Sequence, residues 1–187
     1  MLNEGGRHEG ALAASEKALS LDDKYIDAWK LKSNALLKLR KLPEALAAAE
    51  EGVKLAPDNV DTLTSQANAL YESGKFDRAL PIYQKVVQIN PNLEIGWSNL
   101  SELLNQMKRY NEALTAADRA LKIAPNTSGW NQRANALVGL QRHTEAIAAY
   151  DRVLKLKPDY HYAHIGKGNA FTGCNAIRMP LIPTIGL

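Results

Sequence analysis

Prolines recur along this chain at a fixed spacing, and that spacing constrains the fold more than any other feature. Pro57, Pro91, Pro125 and Pro158 are separated by 34, 34 and 33 residues. A fixed period in this range indicates an array of small repeated units. A series of alanines, at Ala11, Ala45, Ala79, Ala113 and Ala146, has separations of 34, 34, 34 and 33 residues. Two independent series therefore predict the same repeat.

Each repeat shows the pattern of two amphipathic helices. In the first helix a large, a small and a large residue recur three to four positions apart, as in Trp29, Ser33 and Leu36, which places them on one face. The small residue allows a partner helix to approach closely. The second helix is apolar on more than one side, as expected if it packs against its own partner and against the next unit. The proline then ends it.

The period also predicts how the chain is divided. It starts with a second helix alone and finishes with a first helix alone, and neither carries the polar outer face that ends a solenoid. We therefore expect a fragment of a longer array. The predicted parts are a partial unit at 1–25, full units at 26–59, 60–93, 94–126 and 127–160, a partial unit at 161–174 and an irregular tail at 175–187.

Several short motifs make a resemblance specific. Ala28-Trp29, Asn34-Ala35-Leu36, Glu44-Ala45 and Pro57-Asp58 resemble the signature of the tetratricopeptide repeat, and the chain up to about residue 173 is similar to an array of this family of the prokaryotic kind. The resemblance implies an all-α fold, a right-handed α-solenoid of antiparallel helix pairs. The departures are few: Lys32, Gln66, Arg133 and His164 stand where the signature has other residues.

The resemblance also implies that the concave groove of the superhelix binds a peptide. When each unit is counted from its first residue, the ninth place holds asparagine in four of five units and Glu102 in the other. A carboxamide both donates and accepts hydrogen bonds, so a column of them can bind the backbone of an extended peptide. The alternative is that these asparagines only tie neighbouring helices together. The predicted peptide-binding groove comprises Lys30, Asn34, Ser65, Asn68, Asn99, Glu102, Asn131, Asn135 and Asn169.

Some relatives hold an acidic C-terminal peptide in a carboxylate clamp of lysine, asparagine and arginine. Lys30 and Asn34 match the first pair of that clamp. Ser65, Ile95 and Asn99 stand where its remaining asparagine, lysine and arginine belong. The clamp therefore lacks its main cations and is the weaker hypothesis.

Charge and residue types argue against other classes of function. Lys and Arg exceed Asp and Glu by three and are scattered, which does not favour nucleic-acid binding, and no segment is apolar enough to predict a membrane span. Cys174 is the single cysteine, and no signal segment precedes the repeats, so a cytoplasmic protein is expected. His161 and His164 have only Cys174 nearby and no fourth ligand, so a zinc site is not expected. We predict no metal, cofactor or catalytic residues.

The sequence thus predicts a non-enzymatic scaffold that binds another protein or a peptide segment. Two alternatives remain open. The chain can be an arm of a larger enzyme or regulator that selects substrates or drives oligomerisation, or it can self-associate through its uncapped ends or its C-terminal tail.

Overall fold

The computed structural model describes the backbone of residues 4–178 and the side chains of residues 5–174. This part of the chain is helical throughout, with short turns between helices and no strand. The helices are α1 Glu4–Leu21, α2 Ile26–Lys38, α3 Leu42–Leu55, α4 Val60–Glu72, α5 Phe76–Ile89, α6 Glu94–Gln106, α7 Tyr110–Ile123, α8 Thr127–Gly139, α9 His143–Leu156 and α10 His161–Arg178.

The ends of these helices follow from local chemistry. Asn59 caps α4, because its side chain accepts hydrogen bonds from the backbone N–H groups of Asp61 and Thr62. Asn126 caps α8 through the N–H of Gly129 in the same way. Pro43 lies at the start of α3, where its missing N–H costs no helical hydrogen bond. Local residue types therefore account for where these helices begin.

A left-handed residue separates the two helices of each full pair. The φ angles there are 60°, 69°, 59° and 59°, at Arg40, Gly74, Lys108 and Gln141 respectively. The N–H of the next residue bonds back to the last turn of the first helix, as Lys41 does to the Leu36 carbonyl at 2.9 Å. This arrangement satisfies carbonyl groups at the helix end and reverses the chain direction.

The chain forms two compact units, which meet in sequence at Gly96 and Trp97. In the first unit, helices α1 to α5 pack in sequence, each against the next. Ser33 is fully buried between α2 and α3, and its hydroxyl donates to the Ala45 carbonyl at 2.9 Å. The small residue in the first helix thus lets the two helices approach closely, as the sequence pattern predicts.

The second unit contains most of α6 and helices α7 to α10. Helix α8 packs between α7 and α9, and α10 packs against both α9 and α8. Ser101 repeats the contact of Ser33, donating to the Ala113 carbonyl at 2.8 Å. The core of this unit combines alanines with a few larger side chains, and its members are Ala134, Leu137, Ala146, Ala149, Tyr150, Val153, Ala163 and Ala170.

The end of the chain differs from the sequence-based expectation. The sequence predicts irregular structure from residue 175, but α10 continues to Arg178. Residues 175–178 contain neither proline nor glycine, so nothing in them stops a helix. The rest of the expected tail, residues 179–187, lies outside the described part of the chain.

None of the helices in the described range has both the length and the apolar character needed to cross a membrane.

Candidate functional site

The second unit contains a cavity of about 930 Å³. Its walls come from α6, α8, α9, α10 and the turn that precedes α10. Most of the lining side chains carry a carboxamide or a hydroxyl group. The lining residues are Glu102, Asn105, Gln106, Thr127, Ser128, Asn131, Gln132, Asn135, Val138, Tyr150, Lys157, Tyr160, Tyr162, Ile165, Gly166 and Asn169.

Asn135 is held by a tyrosine from the second helix of its own pair. The Tyr150 hydroxyl donates to Asn135 Oδ1 at 2.7 Å. Tyr150 is buried, and burial raises the pKa of its phenol to about 12. The phenol therefore stays neutral and keeps its hydrogen over the whole physiological pH range.

Gly166 provides the space that this tyrosine occupies. A Cβ atom built on Gly166 would overlap Cζ and the hydroxyl oxygen of Tyr150. Any larger residue at position 166 therefore forces the ring away from its place. The contact links three helices at one point, because Asn135 lies on α8, Tyr150 on α9 and Gly166 on α10.

A second carboxamide is held by the neighbouring helix pair. Asn105 Nδ2 donates to the Gln132 backbone carbonyl at 3.0 Å and to Gln132 Oε1 at 3.3 Å. Within the described chain, Asn105 Oδ1 is buried and accepts no hydrogen bond. A buried acceptor without a hydrogen bond is unfavourable in free energy, so this oxygen is a site where water or a ligand can donate a hydrogen bond.

Aromatic and apolar groups form the side of the cavity near α10. Tyr162 is 63% exposed and Ile165 is 61% exposed, although both are large and partly apolar. The rings of Tyr160 and Tyr162 meet edge to face, with centroids 5.8 Å apart. Tyrosines of this kind offer an apolar surface and a hydrogen-bonding group at the same time.

The charges at the cavity are few and of opposite sign. The lining includes one carboxylate, that of Glu102, and one ammonium group, that of Lys157, which lies 5.5 Å from the centre of the Tyr160 ring. Burial raises the pKa of the Tyr160 phenol, and the nearby Glu102 charge adds to the effect. The cavity is therefore mainly a polar, uncharged surface.

The structure brings together four of the nine residues that the sequence predicted for the groove. Glu102, Asn131, Asn135 and Asn169 all line this cavity. Asn99 belongs to the same unit but does not line it. The remaining four, Lys30, Asn34, Ser65 and Asn68, lie in the first unit.

The four residues of the first unit have different environments. Ser65 is only 4% exposed, which makes it a poor candidate for contact with a peptide. Lys30 forms ion pairs with Asp27 at 2.9 Å and Asp61 at 3.0 Å, and hydrogen bonds to these two carboxylates raise its pKa. Its charge is therefore already compensated, which further weakens the carboxylate-clamp hypothesis. Asn34 is exposed.

Asn68 lies in the same kind of contact as Asn135. The hydroxyl of Tyr83 donates to Asn68 Oδ1 at 2.6 Å. In two of the four full repeats, the ninth-place asparagine is thus tied to the second helix of its own pair, in partial agreement with the alternative that these residues link helices. Asn135 combines that link with a place on the cavity wall.

Sequence reasoning missed several residues that shape the cavity. Ile165 and Gly166 take the fifth and sixth places of their repeat, which Lys30 and Ser65 take in other repeats, and Tyr162 takes the place of Ile95. The repeat register therefore contained a signal for all three. Tyr150 belongs to a second helix, and its signal was the tyrosine at the equivalent place, Tyr83. Lys157 and Tyr160 lie around a turn, where helical periodicity gives no prediction.

His164, on α10, contacts the turn that precedes its own helix. His164 Nε2 lies 2.8 Å from the Pro158 carbonyl oxygen, six residues earlier. Trp29 makes the same kind of bond, since its indole N–H donates to the Asp23 carbonyl at 2.8 Å. The His164 ring therefore makes the same contact as the Trp29 indole, since both residues take the fourth place of their repeats. In the described chain, no group of three or more His, Cys, Asp or Glu is arranged to hold a metal ion.

Comparison with solved structures shows how common this arrangement of helix pairs is. TTC0263, a tetratricopeptide repeat protein of Thermus thermophilus, matches with a TM-score of 0.76 at 18% sequence identity, over 89% of this chain and 92% of that one. YrrB, described as a tetratricopeptide repeat protein with an unusual peptide-binding site, matches with a TM-score of 0.71 at 21% identity, over 87% and 84% of the two chains. A structure of MamA matches with a TM-score of 0.68 at 15% identity, over 95% and 90%. These likenesses establish the fold.

Sequence comparison identifies the family. Among curated proteins no sequence matches this chain. Three family models, each described as tetratricopeptide repeat, match residues 30–94, 70–138 and 128–160, which together run from 30 to 160. With the ten described helices and the structural likenesses, these matches show that the chain belongs to the tetratricopeptide repeat family, an all-α solenoid of helix pairs that generally acts as a scaffold for protein interactions.

Proposed function

We propose that this chain is a scaffold that binds an extended segment of another polypeptide in the cavity of the second unit. One observation carries the proposal: carboxamides from three consecutive first helices, α6, α8 and α10, line one cavity together with the exposed Tyr162 and the half-buried Tyr160. Proteins of this family are generally scaffolds without catalytic activity, and the proposal assigns no reaction to the cavity.

The chemistry of the cavity suits a polypeptide backbone. A backbone presents a carbonyl acceptor and an N–H donor at nearly every residue, and a carboxamide can pair with either. Tyr162 and Ile165 supply exposed apolar surface for side chains of the bound segment. Because Glu102 and Lys157 have opposite charges, the cavity has no strong preference for an acidic or a basic ligand. The affinity should therefore depend only weakly on salt.

The likeness to YrrB adds limited support. That protein is described as having an unusual peptide-binding site, and its fold resembles that of this chain. A shared fold does not transfer a ligand, so the argument for this chain depends on its own side chains.

Selection from a random peptide library tests the proposal. The full chain is immobilised, twelve-residue peptides displayed on phage are enriched on it, and an enriched peptide is synthesised for calorimetry. Changing Asn131, Asn135 and Asn169 together to alanine should weaken binding by about a hundredfold, since each lost hydrogen bond costs on the order of 1 kcal/mol. Raising the salt from about 50 to about 500 mM should change the dissociation constant by less than about threefold.

A matched control uses an asparagine outside the cavity. Asn111 is exposed on α7 and does not line the cavity, so Asn111→Ala should bind the peptide as the unchanged chain does. Circular dichroism should show that all variants keep their helical content. Failure to enrich any peptide, or full binding by the triple variant, would contradict the proposal.

A second candidate function is self-association, and the exposed face of α10 favours it. In the first helices of the four full pairs, the eighth and eleventh places are buried, with exposures of 0% and of at most 3%. In α10 the same places are Gly168, which is exposed and would have no neighbour within 4 Å of a Cβ atom, and Phe171, which is 49% exposed. In the full pairs this face packs against the second helix of the repeat, so the exposed face of α10 fits a helix of the same kind.

Helix α1 of another copy fits that description. It has the sequence pattern of a second helix, and Ala14 on it is exposed, whereas the equivalent Ala48, Ala116 and Ala149 are buried. Packing α1 of one copy on α10 of another would complete a helix pair. Such a contact joins two different surfaces, so it would add copies head to tail.

A further inference from the structure

The contact between Tyr150 and Asn135 decides which hydrogen-bonding groups the cavity offers. Asn135 Oδ1 is used as the acceptor for the Tyr150 hydroxyl, at 2.7 Å. If the carboxamide were reversed, the buried phenol hydrogen would have no acceptor at this point, which is unfavourable for a buried polar group. The carboxamide is thus held in one orientation, and its other polar group is the Nδ2 amide, which can only donate.

The surroundings of Tyr150 keep this orientation in place. The tyrosine is buried, and its ring packs against Gly166 of α10, which places the hydroxyl beside Asn135. The phenol also remains protonated, since burial raises its pKa to about 12. Tyr150 is thus a hydrogen-bond donor to Asn135.

The fold itself does not require a tyrosine at this place. The equivalent residues in the first and third full repeats are Ala49 and Ala117, and both are buried in well-packed helix pairs. The second repeat has Tyr83, which donates to Asn68 at 2.6 Å. Half of the full repeats therefore form a packed helix pair with alanine here, without a phenol that contacts the ninth-place residue.

We propose that Tyr150 is a positioning residue of the binding site, which fixes Asn135 as a hydrogen-bond donor so that the cavity selects a carbonyl oxygen of the ligand at that point. The inference rests on the proposed function, since a backbone carbonyl is the acceptor that an extended polypeptide supplies there. Gly166 belongs to the same device, because it leaves room for the ring that holds Asn135.

Four variants of the full chain test this inference with the peptide enriched on the phage library. Asn135→Asp keeps an oxygen for the Tyr150 hydroxyl but presents a second acceptor in place of the donor. It should weaken binding at least about tenfold, as much as Asn135→Ala does. Tyr150→Phe releases the carboxamide and should weaken binding about threefold to tenfold. The double variant Tyr150→Phe with Asn135→Ala should bind no more weakly than Asn135→Ala alone.

The last result separates positioning from a structural role. If Tyr150 acts only through Asn135, its loss has no further effect on binding once Asn135 is gone, whatever it does to the melting temperature. Tyr83→Phe is the matched control. It breaks the same kind of contact in the first unit, so it should lower stability similarly and leave binding of the peptide unchanged.

The outcomes distinguish this inference from the proposed function. If Asn135→Ala loses binding while Asn135→Asp keeps it, the cavity binds the peptide but Asn135 is not a donor, and the inference is wrong. Additive losses in the double variant would show that Tyr150 acts on the ligand or on the fold, which also overturns it. If neither Asn135→Ala nor the triple asparagine variant affects binding, or no peptide is enriched, the proposed function fails and the inference fails with it.

Discussion

The residue between the two helices of each pair shows how a single position can be set by backbone geometry. The φ angle there is close to +60° in all four pairs, but only one of the four residues is glycine, Gly74. A residue with a Cβ atom is strained in the left-handed region, by roughly 1–2 kcal/mol, whereas glycine is not. Gln141 therefore carries strain that the sequence pattern alone does not reveal.

Replacing Gln141 with glycine should stabilise the protein. The relief of backbone strain exceeds the added freedom of the unfolded chain, and the expected gain in the free energy of unfolding is about 0.5–1 kcal/mol. The opposite change, Gly74→Ala, should cost about 1 kcal/mol. Urea denaturation followed by circular dichroism measures both. If both variants had the same urea midpoint as the unchanged chain, the left-handed turn would not limit stability.

At the scale of the helices, the small residue at the eighth place sets how closely each pair packs. Ala134 is fully buried in the core of the second unit, between α8 and its partner. Ser33 and Ser101 at this place donate to a carbonyl of the opposite helix, at 2.9 and 2.8 Å, so there the two backbones are close enough for a serine to span the gap. A large side chain at this place would push the helices apart.

Two substitutions at equivalent places test this packing. Ala134→Leu should lower the free energy of unfolding by about 1–3 kcal/mol or more, because it overfills the core. Gly168→Ala, on α10, meets no atom within 4 Å and should raise stability by about 0.5–1 kcal/mol through its better helix propensity. Thermal and urea unfolding give both values. A destabilising Gly168→Ala would mean that another helix covers this face in solution.

At the scale of the whole molecule, the open face of α10 predicts association that depends on concentration. Light scattering after size exclusion should show an apparent mass that rises with protein concentration. Phe171→Glu should reduce the association, because it places a charge in the contact. Ile123→Glu, at a similarly exposed position on α7, is the matched control and should leave it unchanged. A constant monomer mass over the whole range would remove self-association as a function.

The sequence by itself determined the repeat and the arrangement of its helices. The spacing of prolines and alanines predicted helix pairs, and the alternation of large and small residues predicted which face of each first helix is buried. The structure and the family comparison confirm the all-α solenoid of helix pairs. These features are local, because helical periodicity fixes which side chains share a face.

The tertiary structure decided which side chains meet around the cavity. Asn135 was predicted for the groove, but its orientation depends on Tyr150 from another helix and on the space left by Gly166. Ser65 was predicted at the same surface and is buried instead. Equivalent positions of the repeat have different environments because their neighbours in space differ. The period of the sequence does not predict how those neighbours fill the space between helices.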